Sequence, residues 1–381
     1  MKIVLSPDSF KGSLSAVDAA QAMAEGIQKL NLSIETFMIP VADGGEGTLD
    51  ALISATHGKM VSVNVSDPLG KQIIAEYGIL GDGETCVIEM AQSSGLLLLK
   101  KEERNPLLAS SYGTGELILH ALDNGYRKFI MGIGGSATND GGTGMLKALG
   151  MKFLNDKGEE LVAGGGALLE LSQIDVSHFD TRIAESEFII ASDVDNPFVG
   201  PNGASFIFGP QKGATEDMVT RLDQSLTVLA DVIERTTGIS IHHSQGAGAA
   251  GGMGGAFQSF FPCAMKPGIQ VVLKAIGFQE QIQQADLILT GEGKSDTQTL
   301  SGKAPIGVAT IARENNIPVL LISGSVSKQS KQQLAEYFHS ITSIVDEEIT
   351  SDEAIEHAKH YLEMKTQETV WNYLEKIRNG V

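Results

Sequence analysis

The sequence is poor in cysteine, in tryptophan and in positive charge. Its only cysteines, Cys86 and Cys263, belong to no Cys-x-x-Cys pair and to no His–Cys ligand spacing. That excludes a disulfide framework and a thiolate zinc site. Against 47 Asp and Glu there are 28 Lys and Arg, a net charge of −19 over 381 residues, which makes nucleic acid or an anionic membrane a poor partner. Any anionic substrate must be held by a few local lysines, by helix N-termini or by a metal. No apolar run approaches the length that spans a bilayer, and the opening residues 1–8 break too early for a signal peptide. The expectation is a soluble, cytoplasmic protein. Its hydrophobic content, 42%, is ample for a large core and points to two domains.

What the chain has in quantity is glycine, and residues 128–150 concentrate it: KFIMGIGGSATNDGGTGMLKALG. The stretch begins as a short apolar strand, passes through Gly134-Gly135-Ser136 and Asn139-Asp140-Gly141-Gly142, and continues as a helix. Glycines let several N–H groups approach a ligand, and the following helix N-terminus favours an oxyanion or phosphate. A tight, closely packed turn explains the same glycines without a ligand. No Lys completes a Walker A motif. The loose dinucleotide fingerprint at 132–137, with Asp156 beyond it, fails for a different reason. Residues 151–158 read as a strand entering a hairpin turn, not as the second parallel strand an NAD site needs.

Along the chain, strands at 2–6 and 34–40 alternate with a helix at 15–30, and each strand delivers a polar loop. The first loop carries Asp8, Ser9 and Lys11, the second Asp43 and Glu46. Strands at 61–65, 72–80 and 85–90 read as antiparallel, joined by turns. The strand at 187–191 ends in Ser192-Asp193-Val194-Asp195-Asn196, whose oxygens suit Mg²⁺ as well as a plain Asx turn. Gly209-Pro210-Gln211-Lys212-Gly213 and the run 246–255 are further glycine loops. From about 284 the α/β alternation returns: strands at 285–289, 317–323 and 341–345, and helices at 304–315 and 327–338. A last helix opens with Thr350 and Glu353 at capping-box spacing. The loop 290–303 brings Gly291, Gly293, Lys294, Asp296 and Lys303 together near a helix start. The fold class expected is α/β. A doubly wound Rossmann- or flavodoxin-like domain (1–60 plus 282–381) is interrupted by an inserted mixed α/β domain (61–281) that carries the glycine-rich loop.

With these loops in view the sequence resembles the type I family of bacterial glycerate kinases. The matching stretches are SPDSFKGSLSA (6–16), PVADGGEGT (40–48), DPLG (67–70), YGTGELI (112–118), GIGGSATNDGGTGML (132–146), ASDVDNPF (191–198), FGPQKGAT (208–215) and LTGEGKSDTQTLSGKAP (289–305). The resemblance implies ATP-dependent phosphorylation of D-glycerate with Mg²⁺, small-molecule partners only, and 2-phospho-D-glycerate in preference to the 3-phospho isomer. It is compatible with a homo-oligomer. The roles then follow from chemistry, since phosphoryl transfer needs positioning and charge neutralisation. Lys11, Lys212 and Lys303 are candidates to neutralise substrate anions. The amides of Gly134, Gly135, Ser136 and Ala137 suit the triphosphate or the glycerate carboxylate, and Gly291 and Gly293 suit phosphate. Asp193 is expected to bind metal with Asp195, or to act as base, with Asp296 the competing base. Asp8, Ser9, Asp43, Glu46, Asn139 and Asp140 are expected at glycerate or orienting a lysine. The alternatives are a Mg²⁺-dependent phosphatase of a phosphorylated sugar acid, a dehydrogenase and a non-catalytic binding protein.

Overall fold

In the computed structural model, which describes residues 1–30, 32–300 and 302–379, the first strand, Lys2–Leu5, lies inside a five-stranded sheet. Ser301, part of the 289–305 motif, lies outside the described residues. By internal contacts the chain divides into one compact unit of Met1–Asp43, Asp50–His57 and Pro267–Val381, and another of Gly44–Leu49 and Gly58–Lys266.

In the first unit the strand order is Ser340–Ser343, Val319–Val326, Leu287–Ser295, Lys2–Leu5, Glu35–Met38, with every pairing parallel. Counted along the chain this is 2-1-3-4-5, the flavodoxin-like doubly wound order. Strands covered on both faces need continuous apolar runs. Ile3, Leu5, Leu287, Leu289, Leu320 and Ile322 are accordingly buried, packed with Met23 and Ile27 of the helix Ala16–Gln28 and with Leu362 and Val370 of the helix Ala358–Asn379. Ser15 caps the first of these helices, accepting from the Asp18 N–H at 3.0 Å. The Thr350/Glu353 capping box forms as its spacing predicts, at the start of Ser351–Glu356.

Two expectations for this unit are corrected. The segment read as a loop from 290 runs as strand through Ser295, because Thr290 to Ser295 pair in parallel with Leu321 to Val326. The helix expected over 327–338 shrinks to Lys331–Leu334. Of that segment's large apolar side chains only Leu334 and Phe338 are buried, too narrow a stripe to hold three helical turns.

The second unit is built on a six-stranded sheet in the order Cys263–Lys266, Glu187–Ala191, Lys128–Gly132, Thr85–Glu89, Gln72–Ile79, Lys59–Ser66. The last two pairings are antiparallel, as expected, but Thr85–Glu89 is also parallel to Lys128–Gly132. Phe129 and Phe188 stack with centroids 4.6 Å apart in its core. Lys152–Leu154 pairs antiparallel with Gln173–Asp175, in keeping with the rejection of a second parallel strand there. The glycine run at 246–255 is packed, not loose. A Cβ on Gly251 would lie 2.0 Å from the Thr138 carbonyl oxygen, at a φ of +66°, so only glycine fits against the loop at 138–142.

Candidate active site

A cleft of about 430 Å³ opens in the first unit where the Lys2–Leu5, Leu287–Ser295 and Val319–Val326 strands end. In a doubly wound sheet the crevice at the carboxyl ends, beside the strand-order reversal, is where ligands bind. Here the reversal lies between Lys2–Leu5 and Leu287–Ser295. The cleft gathers eight residues named from sequence: Asp8, Ser9, Lys11, Asp43, Gly293, Lys294, Asp296 and Lys303. The 6–13 loop is held against its neighbour strand by the Asp8 N–H, which donates to the Gly291 carbonyl at 2.8 Å. The absence of side chains makes the close approach possible, since a Cβ on Gly324 would fall 2.4 Å from the Gly293 carbonyl oxygen. Gly291 is explained by the same packing, its missing Cβ facing the Ile322 carbonyl at 2.0 Å.

Charge in this cleft is sorted by burial. Lys11 is exposed, Lys303 is half-buried and donates to Gln298 at 3.2 Å, and Lys294 pairs with Asp296 at 3.2 Å. Partial burial pushes Asp296 upward, but the Gln298 N–H and Lys294 together leave its carboxyl below the ordinary range. Asp8 is the opposite case. Burial first, and then the Asp43 carboxylate, push it up to about 7, with Glu292 adding to the rise and the Ser9 N–H and Lys11 opposing it. Glu292, which sequence reasoning did not single out, is buried and accepts from Ser295 Oγ at 2.8 Å and Thr299 Oγ1 at 2.6 Å. Its signal was present as the carboxylate inside the Gly-Glu-Gly-Lys motif. Missing was the knowledge that the segment is a strand whose side chain turns into the cleft.

The glycine-rich loop belongs to the second unit, following the Lys128–Gly132 strand. Only Gly134 and Gly135 are exposed; Ser136, Ala137, Thr138, Asn139 and Asp140 are buried. Asp140 is consumed by the protein. Its Oδ2 accepts from the Ser111 N–H and Oγ at 2.8 Å each and from the Gly144 N–H at 3.2 Å, and its Oδ1 from the Gly142 N–H at 3.1 Å. It therefore anchors the start of Thr143–Ala148, with four protein donors on its two oxygens. Asn139 donates to Ser205 Oγ at 2.9 Å while its Oδ1 is buried without a donor. Glu46 is exposed on the short segment Gly44–Leu49 of the same unit, where a Cβ on Gly134 would come within 3.1 Å of Gly45 Cα.

Lys212 is 2% exposed. Its ammonium donates to Ser136 Oγ at 2.8 Å and to the Thr138 carbonyl at 2.6 Å, so in this structure it braces the loop instead of presenting charge to a solvent-borne anion. Burial lowers it to about 7, against the opposing pull of Asp140. In the unfolded chain the same lysine titrates near the ordinary 10.5. Between those values the unfolded state binds more protons, so this group makes stability rise with pH across that window. Lys212→Met is expected to flatten that rise. Melting temperatures of wild type and variant from pH 7 to 10 check it, and parallel curves would overturn it.

Asp193 and Asp195 stand exposed beyond the Glu187–Ala191 strand. Among the described residues no group of three or more His, Cys, Asp or Glu is placed to hold a metal ion. Among the described residues no helix is long and apolar enough to cross a membrane.

A model of the glycerate kinase family matches residues 3–374. A Bacillus subtilis glycerate kinase is 47% identical over 363 residues, covering 95% of each chain. An Escherichia coli glycerate 2-kinase is 49% identical over 327 residues, covering 86% of each chain. The crystal structure of a protein named as a glycerate kinase 2 from Salmonella typhimurium LT2 superposes with a TM-score of 0.88 at 42% identity, over 99% of both chains.

Proposed function

Because the chain belongs to the glycerate kinase family, we propose that it transfers the γ-phosphoryl group of ATP to D-glycerate, giving ADP and 2-phospho-D-glycerate, as a member of the type I subgroup. The observation that carries this reading is the cleft at the strand-order reversal, where lysines and buried carboxylates face one another. Glycerate is an anion with two hydroxyls, and the cleft supplies both kinds of partner. Lys11 and Lys303 take the carboxylate; Asp8, Asp43 and Ser9 take the hydroxyls. Asp296, held ionised, orients Lys294. Gly134 and Gly135, the exposed part of the glycine-rich loop, offer amides to a substrate anion. Asp193 and Asp195 would hold Mg²⁺ together with nucleotide phosphate. Bound there, it would neutralise charge on the transferring group. The choice of the 2-hydroxyl rests on the likeness to the Escherichia coli glycerate 2-kinase.

The experiment is incubation with ATP and D-glycerate, read as ADP formed and by ³¹P NMR of the product. Phosphate on the 2-oxygen couples to one carbon-bound proton and gives a doublet; on the 3-oxygen it couples to two and gives a triplet. ADP formation dependent on glycerate, with a doublet, is expected. Phosphate release from a phosphorylated sugar acid without nucleotide would instead establish the phosphatase.

A further inference from the structure

We propose that Asp8 is the general base of the phosphoryl transfer, taking the proton of the accepting glycerate hydroxyl on its Oδ2. This rests on reading the chain as a glycerate kinase. Three observations point to Asp8. The first is availability. Its Oδ1 accepts the Ser9 N–H at 2.6 Å, while no donor among the described residues lies in hydrogen-bond range of Oδ2. Glu292 accepts two hydroxyls on one oxygen, and Asp296 is paired with Lys294 and bonded to the Gln298 N–H at 2.9 Å. The second is placement. Asp8 is only 4% exposed yet lines the cleft, with Lys11 three residues further along the same loop to hold a substrate anion beside it. The third is basicity. A base working near neutrality needs a proton affinity near the working pH, and burial with Asp43 and Glu292 nearby raises Asp8 into that range against the pull of Lys11. The remaining charged groups lining the cleft are Lys294, Asp296 and Lys303.

In the step itself the glycerate O–H bond breaks and its proton passes to Asp8 Oδ2. The oxygen's electron pair forms the new bond to the γ-phosphorus of ATP. The bond from that phosphorus to the bridging oxygen breaks, and its electron pair leaves on ADP. Asp8 then returns the proton to water.

The test is the pH dependence of glycerate phosphorylation for wild type and Asp8→Asn, with D-glycerate binding measured separately by calorimetry. In wild type, kcat/KM for glycerate should climb through an acid limb centred near 7 and then level. Asp8→Asn should lose about 10²- to 10⁴-fold in kcat and show no such limb, while its Kd for D-glycerate stays within a few-fold. The substitution keeps the side chain's size and removes a buried charge, so the variant should fold. The wild-type profile tests the proposal without any substitution. A variant turning over within threefold of wild type would overturn it, as would a loss confined to glycerate affinity or a wild-type limb unchanged in the variant. A rate that falls as pH rises through 7 would also overturn it, since Asp8 would then act as a proton donor. Wild type that makes no ADP from ATP and D-glycerate sinks the kinase reading instead.

Discussion

Asp140→Ala is expected to destabilise the protein by about 3–5 kcal/mol, lowering the melting temperature by roughly 5–10 °C. The carboxylate is fully buried and satisfies the Ser111 N–H and Oγ and the N–H groups of Gly142 and Gly144. Each buried donor left unmade costs about 1–3 kcal/mol, less what the loop recovers by shifting. Little room exists to shift. The Gly141 N–H is bonded to Gly251 at 3.0 Å, and the Met145 N–H to Ser111 Oγ at 3.0 Å. Activity should fall with the fold, because the same loop presents Gly134 and Gly135. Thermal denaturation followed by circular dichroism gives the answer. An unchanged melting temperature with lost turnover would mean that Asp140 serves the substrate.

Lys11→Ala is expected to do the reverse: kcat/KM for glycerate falls by roughly 10- to 150-fold while the melting temperature stays within 2 °C or so. Lys11 is exposed, and no ion pair or hydrogen bond of its side chain stabilises the fold among the described residues. Its value must then lie in an anion the protein binds. A charge-assisted hydrogen bond is worth about 1.5–3 kcal/mol, and each 1.4 kcal/mol is tenfold. Lys11→Arg should retain part of the rate, since the charge remains although its shape changes. Near-wild-type kinetics in Lys11→Ala would return this lysine to the ordinary surface.

The contrast between Asp140 and Lys11 shows how far the sequence can be read. Both stand in motifs of the same character, polar residues set among glycines at a strand end, and residue type alone gave both a role at the substrate. Lys11 lines the cleft, whereas Asp140 is spent on backbone and hydroxyl donors that include a residue 29 positions away. Lys212 repeats the lesson. Its partners lie 76 and 74 positions back in the chain, so no local pattern announces that its charge is buried.

By itself the sequence determined what depends on composition, periodicity and short spacing. Apolar runs of strand length set the parallel sheet at the two ends of the chain, capping-box spacing set the helix start at Thr350, and ordered motifs from 6 to 305 carried the family. Where the apolar stripe was thin, at 327–338, the local reading failed because packing had the last word. Tertiary structure alone decided which carboxylates are free. Burial, and the identity of the donor that reaches each oxygen, are properties of segments remote in sequence. Asp8 has its raised proton affinity because the fold takes water away and brings Asp43 and Glu292 beside it. Charge interactions and desolvation act through space, and the chain's order carries no record of those distances.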